Sequence, residues 1–191
     1  MNFKRYASAV ASLLALPAFI AINANSAPAQ ELRWETVMGV KQTGDQVGVG
    51  TGAVFGGAPW ETTGGSVHVN LANGKVRFYV KGLILAVGSV PSLGVLGVPI
   101  GTPGPVTQVK GTLVCDVDGT ANGGNSLDFD TPATTLDMNG EAHFSGRFVK
   151  SLDSVCSSEN DNAFLIRIVE PSAFANAWIA FGAVRTGGRS E

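Results

Sequence analysis

The stretch SVHVNLANGKVRFYV, residues 66–80, restricts the choice of fold more than any other part of the chain. Val67, Val69 and Leu71 alternate with His68 and Asn70, and Val76, Phe78 and Val80 alternate with Arg77 and Tyr79. A period of two gathers the apolar side chains on one face of an extended strand, whereas a helix would scatter them around its circumference. Asn73 and Gly74 separate the two runs, and this pair tolerates the positive φ angles of a type I′ turn. The spacing therefore predicts a hairpin.

The same reading extends along the chain. Strands are expected at 32–40, 46–55, 106–115, 141–149, 163–169 and 178–185, with a weaker one near 126–129, and only SAFANA, residues 172–177, invites a single helical turn. Many short strands with glycine-rich connections and no sustained 3.6-residue pattern predict an all-β fold. The expected form is an antiparallel β-sandwich, immunoglobulin-like or jelly-roll-like, of about eight or nine strands.

Residues 1–29 are excluded from that domain. Lys4 and Arg5 precede an apolar stretch around residues 7–22, and Ala27, Pro28 and Ala29 then give a small-residue cleavage pattern before Gln30. This reads as a secretory signal peptide, with a second possible cut after Ser26, and places the expected domain, residues 30–191, outside the cell or in a periplasm. Without the leader, eleven basic and fifteen acidic residues leave a formal charge of −4 and no basic run. Nucleic acid and acidic lipid are accordingly not expected partners, because phosphate binding draws on clustered Lys and Arg. Cys115 and Cys156 are the two cysteines. An even count in an exported chain points to a disulfide, worth about 3 to 4 kcal/mol in the chain-entropy model.

From Gly82 to Val109 there is no charged residue. Pro91, Pro99, Pro103 and Pro105, interleaved with glycines, forbid a continuous helix, so no transmembrane helix is expected here. The front of the run extends the strand before it and the back begins the next. Between them, residues 88–105 form a long loop carrying Leu93, Val95, Leu96, Val98 and Ile100. Such loops are commonly functional. Two readings are open: the side chains plug the end of the sandwich, or they form a lip that meets a hydrophobic ligand, a second subunit or a lipid headgroup region. A third architecture, a small outer-membrane β-barrel, fits the length but lacks aromatic girdles and a terminal aromatic residue.

Catalytic motifs are sparse. The sequence holds no Gly-x-Ser-x-Gly elbow, no His-Glu-x-x-His pair and no phosphate loop between strand and helix. Alternation puts His68 and His143 on outward faces. CDVDGTANGGN and CSSENDN follow the two cysteines, and a disulfide would bring Asp116, Asp118, Glu159 and Asp161 together. That grouping is either a weak calcium site, since hard cations take several oxygen ligands, or a pair of solvated acidic turns. Trp34 and Trp178 belong to apolar strand patterns. Trp60, in GGAPWETTGG, sits in a glycine-rich loop, where an exposed ring stacks on a sugar or anchors a partner and a covered one seals the sheet edge.

VRFYVKGL, a long uncharged segment and then IGTPGPV resemble in order part of the CHRD extracellular β-domain, which has a strand ending in Gly-Leu and a later Gly-Pro-Val. That family's His-containing segment between them is missing, and no residue role is taken from it. The function expected from the residues is binding or structural interaction outside the cell, with a protein, glycan or hydrophobic ligand and with self-association open. A secreted enzyme is the alternative.

Overall fold

The computed structural model describes residues 30–86, 100–157 and 161–187, and the expected leader lies outside them. The strands are β1 (Glu31–Gly39), β2 (Gln46–Val47), β3 (Val54–Phe55), β4 (Trp60–Glu61), β5 (Gly64–Asn70), β6 (Lys75–Lys81) and β7 (Ile84–Leu85). They continue with β8 (Gln108–Cys115), β9 (Leu127–Asp130), β10 (Thr134–Thr135), β11 (Ala142–Arg147), β12 (Asn162–Glu170) and β13 (Trp178–Gly187). Nine of them form one antiparallel sheet in the order β10-β8-β12-β13-β1-β5-β6-β11, with β9 also on β8. Among the described residues there is no α-helix; SAFANA gives one 3₁₀ turn, Ser172–Phe174.

The sheet is curled as a half-barrel, so the facing layers expected of a sandwich are opposite walls of one sheet. Phe78 on β6 lies 5.7 Å from Phe164 on β12, Phe164 lies 5.9 Å from Trp34 on β1, and Phe78 stacks on Phe144 of β11 at 5.8 Å. Across from these rings β8 carries Gly111, where a Cβ would collide with Phe164 and stand 2.9 Å from Phe78. The rings fill the interior because β8 leaves that space. The two edges of the sheet, β10 and β11, are consecutive in sequence. Asp137 closes the link between them by accepting from the Asn139 and Glu141 amides at 2.9 and 2.8 Å, and Thr134 Oγ1 donates to the His143 carbonyl at 2.8 Å.

The predicted hairpin is β5–β6, with Val67 opposite Phe78 and Val69 opposite Val76. Its turn differs from the expected type I′. Asn70 pairs with Lys75, leaving a four-residue loop in which Gly74 takes a positive φ of 65° and Asn73 does not. Asn70 Oδ1 accepts from the Asn73 amide and Asn73 Oδ1 from the Lys75 amide, at 3.1 and 2.9 Å. These side-chain bonds favour the longer loop. The strand expected at 46–55 is likewise divided: Gly48 and Gly50, at φ 80° and 61°, break it into β2 and β3, which pair with each other.

Candidate functional site

The disulfide expected between Cys115 and Cys156 is present, with Cα atoms 5.0 Å apart. It ties the end of β8 to the 3₁₀ turn Ser154–Ser157, and Asn162 Nδ2 donates to the Cys156 carbonyl at 3.0 Å. Three of the four acidic residues singled out from the sequence meet beside it. Asp116, Asp118 and Asp161 each bring an oxygen within 4.8 Å of the others, while Glu159 lies outside the described residues.

Local bonding explains most of this arrangement. Asp116 is 1% exposed and takes a positive φ of 55°, which turns the chain sharply off β8. Its Oδ2 accepts from the Asn122 amide at 2.6 Å and its Oδ1 from the Ala121 amide at 3.0 Å. Its own carbonyl accepts from Ser126 Oγ at 2.8 Å, and that oxygen in turn accepts from the Val49 amide. Asp118 Oδ1 accepts from the Thr120 amide at 2.9 Å, and Asp161 Oδ1 from the Asp118 amide at 3.3 Å. The Thr120 bonds hold the Asp118 carboxyl below the usual carboxylate range. Partial burial, and then the charge of Asp118, push Asp161 above it. Calcium takes six to eight oxygens. Each of the three carboxylates accepts from a loop amide, which fixes the turn, and the triad by itself assigns no metal.

The apolar loop is described only from Ile100 onward, and Leu93, Val95 and Leu96 lie outside the described residues. Its stem is well defined. The Leu85 amide donates to the Thr102 carbonyl and the Gly101 amide to the Leu85 carbonyl, both at 3.0 Å, so the two ends of the segment meet. Ile100, just inside this stem, is 43% exposed.

Trp60 does not offer an exposed ring. It is 2% exposed, because β4 pairs with β7 through Trp60 and Leu85 and the indole turns into the main core. Trp34 and Trp178 are buried as expected; Trp178 Nε1 donates to the Asp45 carbonyl at 3.1 Å.

One charged group is assembled only by the fold. Arg167, 8% exposed on β12, reaches Asp128 at 3.1 Å and Asp130 at 3.5 Å. Lys110 on β8 holds Asp130 at 2.8 Å, and Thr112 Oγ1 donates to Asp130 at 2.6 Å. Burial raises the Asp128 carboxyl despite the adjacent guanidinium. The alternation of Lys110 with Thr112 and of Asp128 with Asp130 is the signal that places these residues on common faces. No periodicity within one strand indicates that β8, β9 and β12 are neighbours.

Compared with known protein families, curated proteins and solved structures, the chain matches none, so the partial likeness to the CHRD domain receives no support.

Proposed function

We propose that this chain is an exported, non-catalytic β-domain that acts by binding at the cell exterior through the apolar segment between Leu85 and Val106. The observation that carries this reading is the stem. Paired backbone bonds at Leu85, Gly101 and Thr102 hold both ends of an uncharged, Leu- and Val-rich segment at one end of the sheet, and Ile100 beside them is open to solvent. The half-barrel interior is filled by Phe78, Phe164, Trp34 and Leu113, which favours a surface contact over an enclosed ligand. The faces also argue against a lipid-facing barrel. Glu31, Arg33, Lys75, Arg77 and Lys81 point outward, while Trp34, Phe78 and Phe164 fill the interior, an outer face too charged for one that meets lipid.

The test is Leu96→Asp in the exported protein, with fractionation of the culture into cell surface and medium and sizing of the purified protein. The reading expects a folded variant, within about 0.5 kcal/mol of the wild type as for surface substitutions, that no longer associates with the surface or with itself. Failure to accumulate would return Leu96 to a core role, because an unpaired buried charge is far more costly than a cavity. A folded variant with every association intact would remove the segment from the binding role.

A further inference from the structure

The antiparallel register gathers cations that the linear sequence keeps apart. Arg33 on β1 is paired with His68 on β5, His68 with Arg77 on β6, and Arg77 with Ser145 on β11. One row along, Glu31 is paired with Asn70, Asn70 with Lys75, and Lys75 with Arg147. Paired residues in a ladder share a face, and the buried neighbours Leu32, Val67, Val69, Val76 and Phe78 fix these two rows on the outer side.

A cleft of about 550 Å³ opens over them, lined among others by Glu31, His68, Lys75, Arg77, Ser145 and Arg147. Among the described residues, no carboxylate lies within salt-bridge distance of Arg33, Lys75, Arg77 or Arg147; the three ion pairs found there belong to Lys110 and Arg167. Among the described residues Glu31 is the one acid lining the cleft, and Glu35 stands further along β1. At His68 partial burial, and after it the charges of Arg33 and Arg77, hold the pKa below the ordinary value against the opposing pull of Glu35 and Glu31. Like charges directly opposite one another across strands are destabilising. Arg147 donates to the Asn73 carbonyl, but none of the four cations has an ion-pair partner among the described residues, and on a domain of net negative charge that points to an external anion.

We propose that this outer face binds an anionic polysaccharide, a sugar chain bearing carboxylate or sulfate groups, in the cleft bounded by His68, Lys75, Arg77 and Arg147. With strands about 4.8 Å apart, the row from Arg33 to Ser145 spans roughly 14 Å, enough for more than one anionic group. Guanidinium groups match carboxylate and sulfate oxygens with paired donors, and Asn70 and Ser145 offer hydrogen bonds to hydroxyls. Among the described residues no Phe, Tyr or Trp ring lines the cleft, so the bases of a single-stranded nucleic acid would find no stacking platform there. The site stands apart from the apolar segment: Lys75 begins β6, whereas β7 and the stem follow its far end.

The test measures binding of polygalacturonate and dextran sulfate, with neutral dextran and a single-stranded oligonucleotide of matched charge as comparisons. Arg77→Gln and the double variant Arg77→Gln/Arg147→Gln should each weaken polysaccharide binding, by about five- to tenfold per charge removed, with affinity falling as salt rises. Lys150→Gln, an exposed cation elsewhere, should leave it unchanged. A wild-type measurement does not depend on how the variants fold: polygalacturonate should raise the His68 pKa read by NMR, because an anion beside the imidazole favours its protonated form. Absence of binding, equal loss in Lys150→Gln, or an unmoved His68 pKa would overturn the proposal. Tighter binding of the oligonucleotide would overturn the choice of polysaccharide. Leu96→Asp should bind these probes as the wild type does, so the two functional readings fail independently.

Discussion

At Asp116 a single carboxylate satisfies two loop amides while the backbone occupies the left-handed region. Asp116→Ala removes both acceptors and the polar side chain that eases that conformation, so it should cost about 2 to 3 kcal/mol in a denaturant titration. Asp116→Asn keeps one acceptor and should cost roughly half as much by the same reasoning. A calcium titration of the wild-type midpoint tests the acidic cluster directly: an unchanged midpoint leaves it a turn, and a rising one shows binding to the folded state. His68 gives a prediction of opposite kind. Its folded pKa lies below the 6.5 of an unperturbed imidazole, so the unfolded chain binds more protons between the two values. Its contribution to stability is therefore full above pH 6.5 and is lost as the pH falls from there through the lowered pKa. His68→Gln should flatten the urea midpoint across that window. Residue types were enough to single out Asp116, Asp118 and Asp161 from the sequence, because acidic and Asn-Gly turns after paired cysteines have few arrangements. They did not reveal that Asp116 is buried. A covered Trp60 was one of two readings of the sequence, and what the sequence did not name is the cover, β7, more than twenty residues away.

At the scale of strands, alternation was legible wherever one face is buried and the other wet. β5 and β6 fall where period-two patterns predict them, and β1, β8, β12 and β13 fall where strands were expected, although β8 and β12 are buried on both faces over most of their length. The two-residue strands β4, β7 and β10 are too short to carry a period: β10 exists because the longer β8 supplies a ladder, and β4 and β7 because the fold brings them against each other. Contacts between strands were not legible, and Gly111 illustrates why. In sequence it is an ordinary break in a β-rich run, whereas in space it makes room for Phe164 and Phe78 from two other strands. Gly111→Ala should be destabilising by about 1 to 3 kcal/mol through overpacking, measured by thermal or urea unfolding. Gly44→Ala meets no neighbouring atom, and its cost comes from the backbone conformation alone. The disulfide closes a loop of 41 residues, so reduction should lower stability by about 4 kcal/mol on the chain-entropy account. Calorimetry with and without reductant checks this, and peptide mapping of the unreduced protein should recover Cys115 joined to Cys156.

For the molecule as a whole, composition indicated an all-β, disulfide-bonded fold, and the strand order explains why the cationic face escaped notice. Arg33, His68, Lys75, Arg77 and Arg147 are spread over 115 positions of the chain, and only the succession β1-β5-β6-β11 makes them neighbours. The same strand order places β1 beside β13, with Leu32 opposite Gly187. The first and last strands are thus the middle of the sheet, not its margins. A growing chain cannot lock this fold until its final strand is available, because until then β1 and β12 both present an open ladder. Removing residues 178–191 should leave a species that is protease-sensitive and lacks a cooperative transition. Conversely, where the chain is cut matters little, provided that every strand is present. A circular permutant that joins residue 187 to residue 31 through a short linker and opens the exposed turn between Ala72 and Asn73 should fold to the same sheet, observable as an unchanged far-UV spectrum and a cooperative melt. In that sense the order of strands in space defines the domain, and the point at which the chain enters it is arbitrary.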